Sequence, residues 1–69
     1  MVNMIPVSSS NLDSVGYMSD SLYIRFRDGS LYVYKNVPLG VYISLMASES
    51  RGSFLHQNIM GRYQYQRIE

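Results

Sequence analysis

"DSLYIRFRDGSLYVYKNVP", residues 20–38, decides the architecture of this chain. Two alternating runs, residues 22–27 and 31–35, flank Asp28-Gly29. Asp-Gly favours the left-handed backbone that a two-residue type I′ turn requires, so the stretch reads as a β-hairpin. With that loop, Arg27 falls opposite Ser30, Phe26 opposite Leu31, Arg25 opposite Tyr32, Ile24 opposite Val33 and Tyr23 opposite Tyr34. Side chains alternate between faces, so Leu22, Ile24, Phe26, Leu31 and Val33 share one face, taken as the core. Tyr23, Arg25, Arg27, Tyr32 and Tyr34 share the other. The assignment hangs on the turn type, because a three-residue bulged loop reverses the parity.

The flanking sequence extends the sheet. "LDSVGYMS" reads as a strand with Gly16 at a bulge or a close backbone approach. Ser19-Asp20-Ser21 turns it into the hairpin, which places Tyr17 near Tyr23 on the Tyr/Arg face. "MIPVSS" reads as a short edge segment, since Pro6 cannot donate to a central ladder. After the hairpin, Asn36 is a candidate cap and Pro38 a first-turn residue of a helix. Leu39, Tyr42, Ile43 and Met46 recur at helical spacing, widened by Val41 and Leu45, which predicts a helix that plugs the sheet. "SESRGS" interrupts the chain. "SFLHQNIMG" predicts a second short helix with Ser53 as cap, Leu55 and Ile59 one turn apart, and Gly61 as a left-handed stop. "RYQYQRIE" alternates Tyr63, Tyr65 and Arg67 against Gln64, Gln66 and Ile68, as a closing strand or tail. The expected fold is α+β, one domain over residues 1–69. It is a small curved antiparallel sheet of three to five strands, barrel-like, packed with one or two short helices.

Composition narrows the function. The 69 residues start with Met1 and contain no cysteine, so no disulfide or thiolate site supports the core, and dimerisation is a reasonable source of further burial. The N-terminus lacks the basic start and apolar run of a signal peptide, and "VPLGVYISLMA" falls far short of the ~20 residues of a membrane span. A cytoplasmic protein is the expectation. The net charge of +1 is too small for strong non-specific nucleic-acid binding. Tyrosine, by contrast, supplies seven of the residues, a ring with a polar tip suited to half-exposed faces.

Gly16-Tyr17, Tyr32-x-Tyr34, Asn36-Val37-Pro38 with Val41-Tyr42, Ser50-x-Gly52 with Phe54 and Ile59, and Tyr63-x-Tyr65 before Arg67-Ile68 follow one another in an order that resembles the KTSC domain family. That family takes its name from a C-terminal extension of some lysyl-tRNA synthetases and also occurs as small stand-alone proteins of bacteria and phages. The resemblance spans residues 8–68 and implies a small α+β module without assigned catalysis, for which RNA binding has been suggested from context. This chain departs from the pattern at His56, where Asn is usual, and at Met18, where Asp often follows the Gly-Tyr pair.

Catalytic chemistry finds little support. His56 is the only histidine, no serine sits in a nucleophile-elbow context, and the five carboxylates are scattered. No catalytic, metal-ligating or cofactor-holding set emerges. "SESRGS" offers a small-residue loop before a helix N-terminus, where Arg51 could join free N–H groups around an anion. The Tyr/Arg face is the leading candidate. Arg25 and Arg27, with Arg51, would hold phosphates while Tyr23, Tyr32 and Tyr34 stack on bases. The expected function is a non-catalytic module that recognises RNA or a small nucleotide, which in a phage would suit sequestration of a nucleotide signal. The alternative is a protein-interaction or assembly module whose Tyr-rich face is a homo-oligomer interface.

Overall fold

The computed structural model describes residues 2–69. Five strands and two helices follow in the order β1 (Ile5–Pro6), β2 (Leu12–Met18), β3 (Ser21–Phe26), β4 (Leu31–Tyr34), α1 (Leu39–Ala47), α2 (Arg51–Asn58) and β5 (Tyr65–Arg67). The strands form one antiparallel meander in chain order, and both helices lie in the connection between β4 and β5. The expected α+β class and closing strand hold. The sheet is open, with β1 and β5 at its edges, so the barrel-like expectation is corrected.

The hairpin that set the expected faces has a different loop. The Phe26 amide donates to the Ser30 carbonyl oxygen at 2.9 Å, and the Gly29 amide to that of Phe26 at 3.0 Å. Residues 27–29 therefore form a three-residue loop, with Gly29 alone in the left-handed region at φ 92°. A type I′ turn would need Asp28 there too. Instead the Asp28 carboxylate accepts from the Ser30 amide at 2.9 Å and the Ser30 hydroxyl at 2.6 Å, an Asx-type arrangement that holds Asp28 out of that region. The register becomes Leu22 opposite Tyr34, Tyr23 opposite Val33, Ile24 opposite Tyr32 and Arg25 opposite Leu31. One residue of slip moves every β4 side chain to the other face.

Two left-handed residues, Ser19 (φ 52°) and Asp20 (φ 62°), make the two-residue turn between β2 and β3. That turn sets Tyr17 opposite Leu22 and Gly16 opposite Tyr23, so Tyr17 belongs to the core face and not beside Tyr23. At the far end of β2 the register shifts between Leu12 and Ser14, a bulge that brings Leu12 opposite Phe26. The bulge lies there and not at Gly16. Gly16 marks a close approach: a Cβ would stand 2.7 Å from Met4 Sδ, 2.9 Å from Val2 Cγ2 and 3.0 Å from the Asn3 carbonyl oxygen. Residues 2–4 thus cross the back of the sheet, where Ser14, Leu31 and Val33 are buried as well.

The principal core lies on the other face. Leu12, Val15, Leu22, Ile24 and Tyr34 of the sheet meet Val37, Leu45 of α1, Leu55 of α2 and Ile59. The predicted Leu55/Ile59 pair is buried, and Gly61 is left-handed at φ 80°. Both predicted caps are displaced. Asn36 is itself left-handed at φ 58°, and Pro38 takes the N-cap of α1, its carbonyl oxygen accepting from the Val41 amide. Ser50 is the N-cap of α2, which leaves Ser53 inside the first turn. On α1 the inward face centres on Leu45 with Val41, Tyr42 and Met46. Leu39 and Ile43 remain more than half exposed, because the helix is rotated away from the stripe's Leu39/Ile43 edge.

Candidate functional site

The slipped register divides the expected site. Tyr23 and Arg25 share the back face with Leu31 and Val33, whereas Tyr32 and Tyr34 share the core face with Leu22 and Ile24. The single Tyr/Arg face does not form.

The three arginines are engaged within the chain. Arg25 donates from Nη1 to the Gly29 carbonyl oxygen at 2.7 Å and from Nη2 to Glu69 Oε1 at 2.8 Å, which ties the hairpin loop to the C-terminus. Arg27 Nε donates to the Ser9 carbonyl oxygen at 2.7 Å, and its amide to that of Asn11 at 3.0 Å. Arg51 Nη2 donates to the Met46 carbonyl oxygen at 2.9 Å, where a cation complements the C-terminal end of α1. Arg51 thus joins the two helices, and it also lines a small polar hollow with Ser50, Gly52 and Ser53 at the start of α2. His56 is exposed in the last turn of α2, and among the described residues no three His, Asp or Glu side chains gather as a metal site.

What the sheet does assemble is an aromatic row. β5 pairs with β4 so that Tyr65 lies opposite Tyr34 and Arg67 opposite Tyr32. All four side chains therefore leave the same face, the one that carries Phe26. The Tyr65 ring centroid is 5.7 Å from that of Tyr32 and 5.7 Å from that of Tyr34, at interplanar angles of 35° and 38°. Phe26 meets the Tyr32 ring edge to face at 5.4 Å. Such contacts fix ring positions and add to the stabilisation from burial. The row grades outward, from Tyr34, 3% exposed, through half-buried Tyr32 to Tyr65, 61% exposed.

These rings border a cleft of about 610 Å³, completed by Asp28 and Ser30 of the hairpin and by Met60 and Gly61 after α2. Its charges are arranged by the turn. Hydrogen bonds from Ser30, side chain first and backbone second, hold the Asp28 carboxyl below the usual carboxylate range, with a smaller contribution from the Arg67 charge. Burial, reinforced by the Tyr32 and Tyr65 phenols, pushes the Tyr34 phenol above its ordinary value. The cleft therefore offers a neutral Tyr34 phenol and the Asp28 carboxylate, with the exposed Arg67 nearby. Phe26 and Tyr65 were absent from the expected site. The alternation of Tyr63, Tyr65 and Arg67 was a signal, but which strand they would pair with was not readable.

The model of the KTSC domain matches residues 8–63. The chain belongs to the KTSC domain family. A KTSC domain protein of Yersinia pestis has a crystal structure that superposes with a TM-score of 0.94 over 100% of both chains, at 34% identity. A protein of Tsukamurella paurometabola is 37% identical over 62 residues, 87% of this chain and 92% of that one. For a KTSC domain the Gly16-Tyr17, Asn36-Val37-Pro38 and Tyr32-x-Tyr34 positions acquire physical content here. Gly16 admits the N-terminal segment, the Tyr17 hydroxyl reaches the Val37 carbonyl oxygen, and Tyr32 and Tyr34 line the cleft. Among the described residues no helix is long and apolar enough to cross a membrane.

Proposed function

We propose that this KTSC domain is a non-catalytic cytoplasmic binding module that takes a base of RNA or of a small nucleotide into the Phe26/Tyr32/Tyr34/Tyr65 cleft. The observation that carries the reading is Tyr65, a ring 61% exposed yet held 5.7 Å from two further tyrosine rings. A planar ligand stacking there meets a surface ordered in advance, so little side-chain entropy is lost on binding. Stacked bases contribute about 1–3 kcal/mol each. Arg67, exposed on the same face with Nε bonded to the Glu69 carbonyl oxygen, is the cation placed to meet a phosphate. As a nucleotide-binding module, the domain would suit sequestration of a nucleotide signal.

The test is an NMR titration of 15N-labelled protein with a short single-stranded RNA, repeated across salt concentrations. Amides of Ser30, Tyr32 and Tyr65 should shift, Tyr65→Ala should abolish the shifts, and the slope of log affinity on log salt should stay near one phosphate's worth, about −0.7. A steep slope, or shifts confined to Arg25 and Arg27, would overturn the assignment to the cleft. The competing reading seats a second copy of the chain on the same rings. It predicts concentration-dependent sedimentation that Tyr65→Ala suppresses, in the absence of any nucleotide.

A further inference from the structure

The cleft has a polarity that its rings alone do not give. The Asp28 carboxylate is the one charged group among its lining residues, and no lysine or arginine joins it. Both Ser30 bonds fall on a single oxygen, Asp28 Oδ1, from the amide at 2.9 Å and the hydroxyl at 2.6 Å. The carboxylate is thereby fixed in orientation, and Oδ2 keeps its two lone pairs for a ligand. Gly29, left-handed at φ 92°, and the Phe26–Ser30 backbone bond hold the loop that presents it.

A cleft whose one lining charge is a carboxylate accepts N–H donors inside, and a phosphate is left to the side of Arg67. On these grounds we infer that Asp28 is the specificity-determining residue of the cleft and that it selects a guanine base, through donor groups on the base edge, over adenine. The inference rests on the base-stacking function proposed above. Guanine presents adjacent N1–H and N2–H donors, two partners for Oδ2. Adenine and cytosine set an acceptor nitrogen beside their amino group, and uracil flanks its N–H with two carbonyls, so each opposes a lone pair to the carboxylate. Stacking is tolerant of base identity, whereas edge hydrogen bonds discriminate. The ligand is oriented in consequence: base inward against Tyr32 and Tyr65, phosphate outward on the side of Arg67, which lies across the ladder from Tyr32.

The experiment titrates 15N-labelled protein with GMP, IMP and AMP in turn. GMP should bind about tenfold more tightly than AMP, toward the low end of what one edge contact discriminates because Asp28 is exposed. IMP, which lacks the N2 amino group, should fall between them. Asp28→Asn keeps an oxygen for Ser30 and replaces the free acceptor with a donor, so the GMP preference should vanish or reverse while AMP binding persists. Ser30→Ala, which loosens the carboxylate and leaves it in place, should narrow the preference without reversing it. Equal binding of GMP, IMP and AMP at the cleft amides would overturn the role of Asp28 and leave base stacking standing. Cleft amides unmoved by all three would overturn both readings.

Discussion

The Tyr17 hydroxyl donates to the Val37 carbonyl oxygen at 2.6 Å, joining the turn end of β2 to the entry of α1. The same ring stacks on Tyr42 of α1, with centroids 4.9 Å apart and planes 19° from parallel. A return bond runs from the Val37 amide to the Asp20 carbonyl oxygen at 2.8 Å. Tyr17→Phe should therefore lower the melting temperature by about 4–8 °C, the effect of one net hydrogen bond in a domain of this size. Tyr17→Ala, which also removes the stack, should lower it further. Thermal unfolding followed by circular dichroism reads both.

Gly16 has no room for a methyl group. The Asn3 carbonyl oxygen, 3.0 Å from a would-be Cβ, is backbone and cannot swing aside as the Met4 thioether can. Gly16→Ala should cost about 1–3 kcal/mol in urea denaturation. Deleting residues 1–4 should remove most of that penalty, and an undiminished cost in the truncated chain would show that the steric account is wrong.

Opposite responses to glycine are expected at the two hairpin turns. Asp20 stands at φ 62°, where a side chain is strained by about 1–2 kcal/mol, so Asp20→Gly should leave stability unchanged or raise it by up to about 1 kcal/mol. Gly29→Ala, at φ 92°, should lower it by about 1–2 kcal/mol. Chemical denaturation of the two variants side by side provides the comparison.

The Arg25–Glu69 pair is short at 2.8 Å but lies at the surface, its side chains 31% and 57% exposed. Arg25→Ala should change stability by no more than about 1 kcal/mol, with the loss reduced in high salt. It should leave nucleotide titrations unaltered, whereas Tyr65→Ala should abolish them at little cost in stability. A weakened affinity in Arg25→Ala would return the phosphate to the back face.

Two pH limbs follow from the cleft. The Asp28 carboxyl is depressed in the folded chain. Its stabilisation is therefore present above the unfolded value near 3.9 and lost as pH falls through the lower folded value. The Tyr34 phenol is raised, so its contribution is complete below about pH 10 and disappears as pH climbs through the folded value. Urea midpoints measured from pH 2 to 11 should decline at both ends. Ser30→Ala should shift the acid limb upward, and Tyr34→Phe should flatten the alkaline one.

Local chemistry determined much of this protein. The alternation in residues 22–26 and 31–34, the turn-forming Asp28-Gly29, the left-handed Gly61 and the Leu55/Ile59 spacing act over a few residues, and each element formed where the chain placed it. The register of the hairpin rested on a competition between two turns one residue apart in length. The Asp28–Ser30 bonds settled it, and with it the face of every β4 side chain. The arginines were legible as cations but not in the contacts each makes within the chain. Their partners, Glu69, Ser9 and Met46, lie 44, 18 and 5 residues away, and the first two meet them only through the tertiary fold. The candidate cleft shows the same divide. Tyr32 and Tyr34 could be picked out in the chain, but Tyr65 joined them only because two intervening helices returned β5 to the free edge of β4, a long-range pairing that no local propensity encodes.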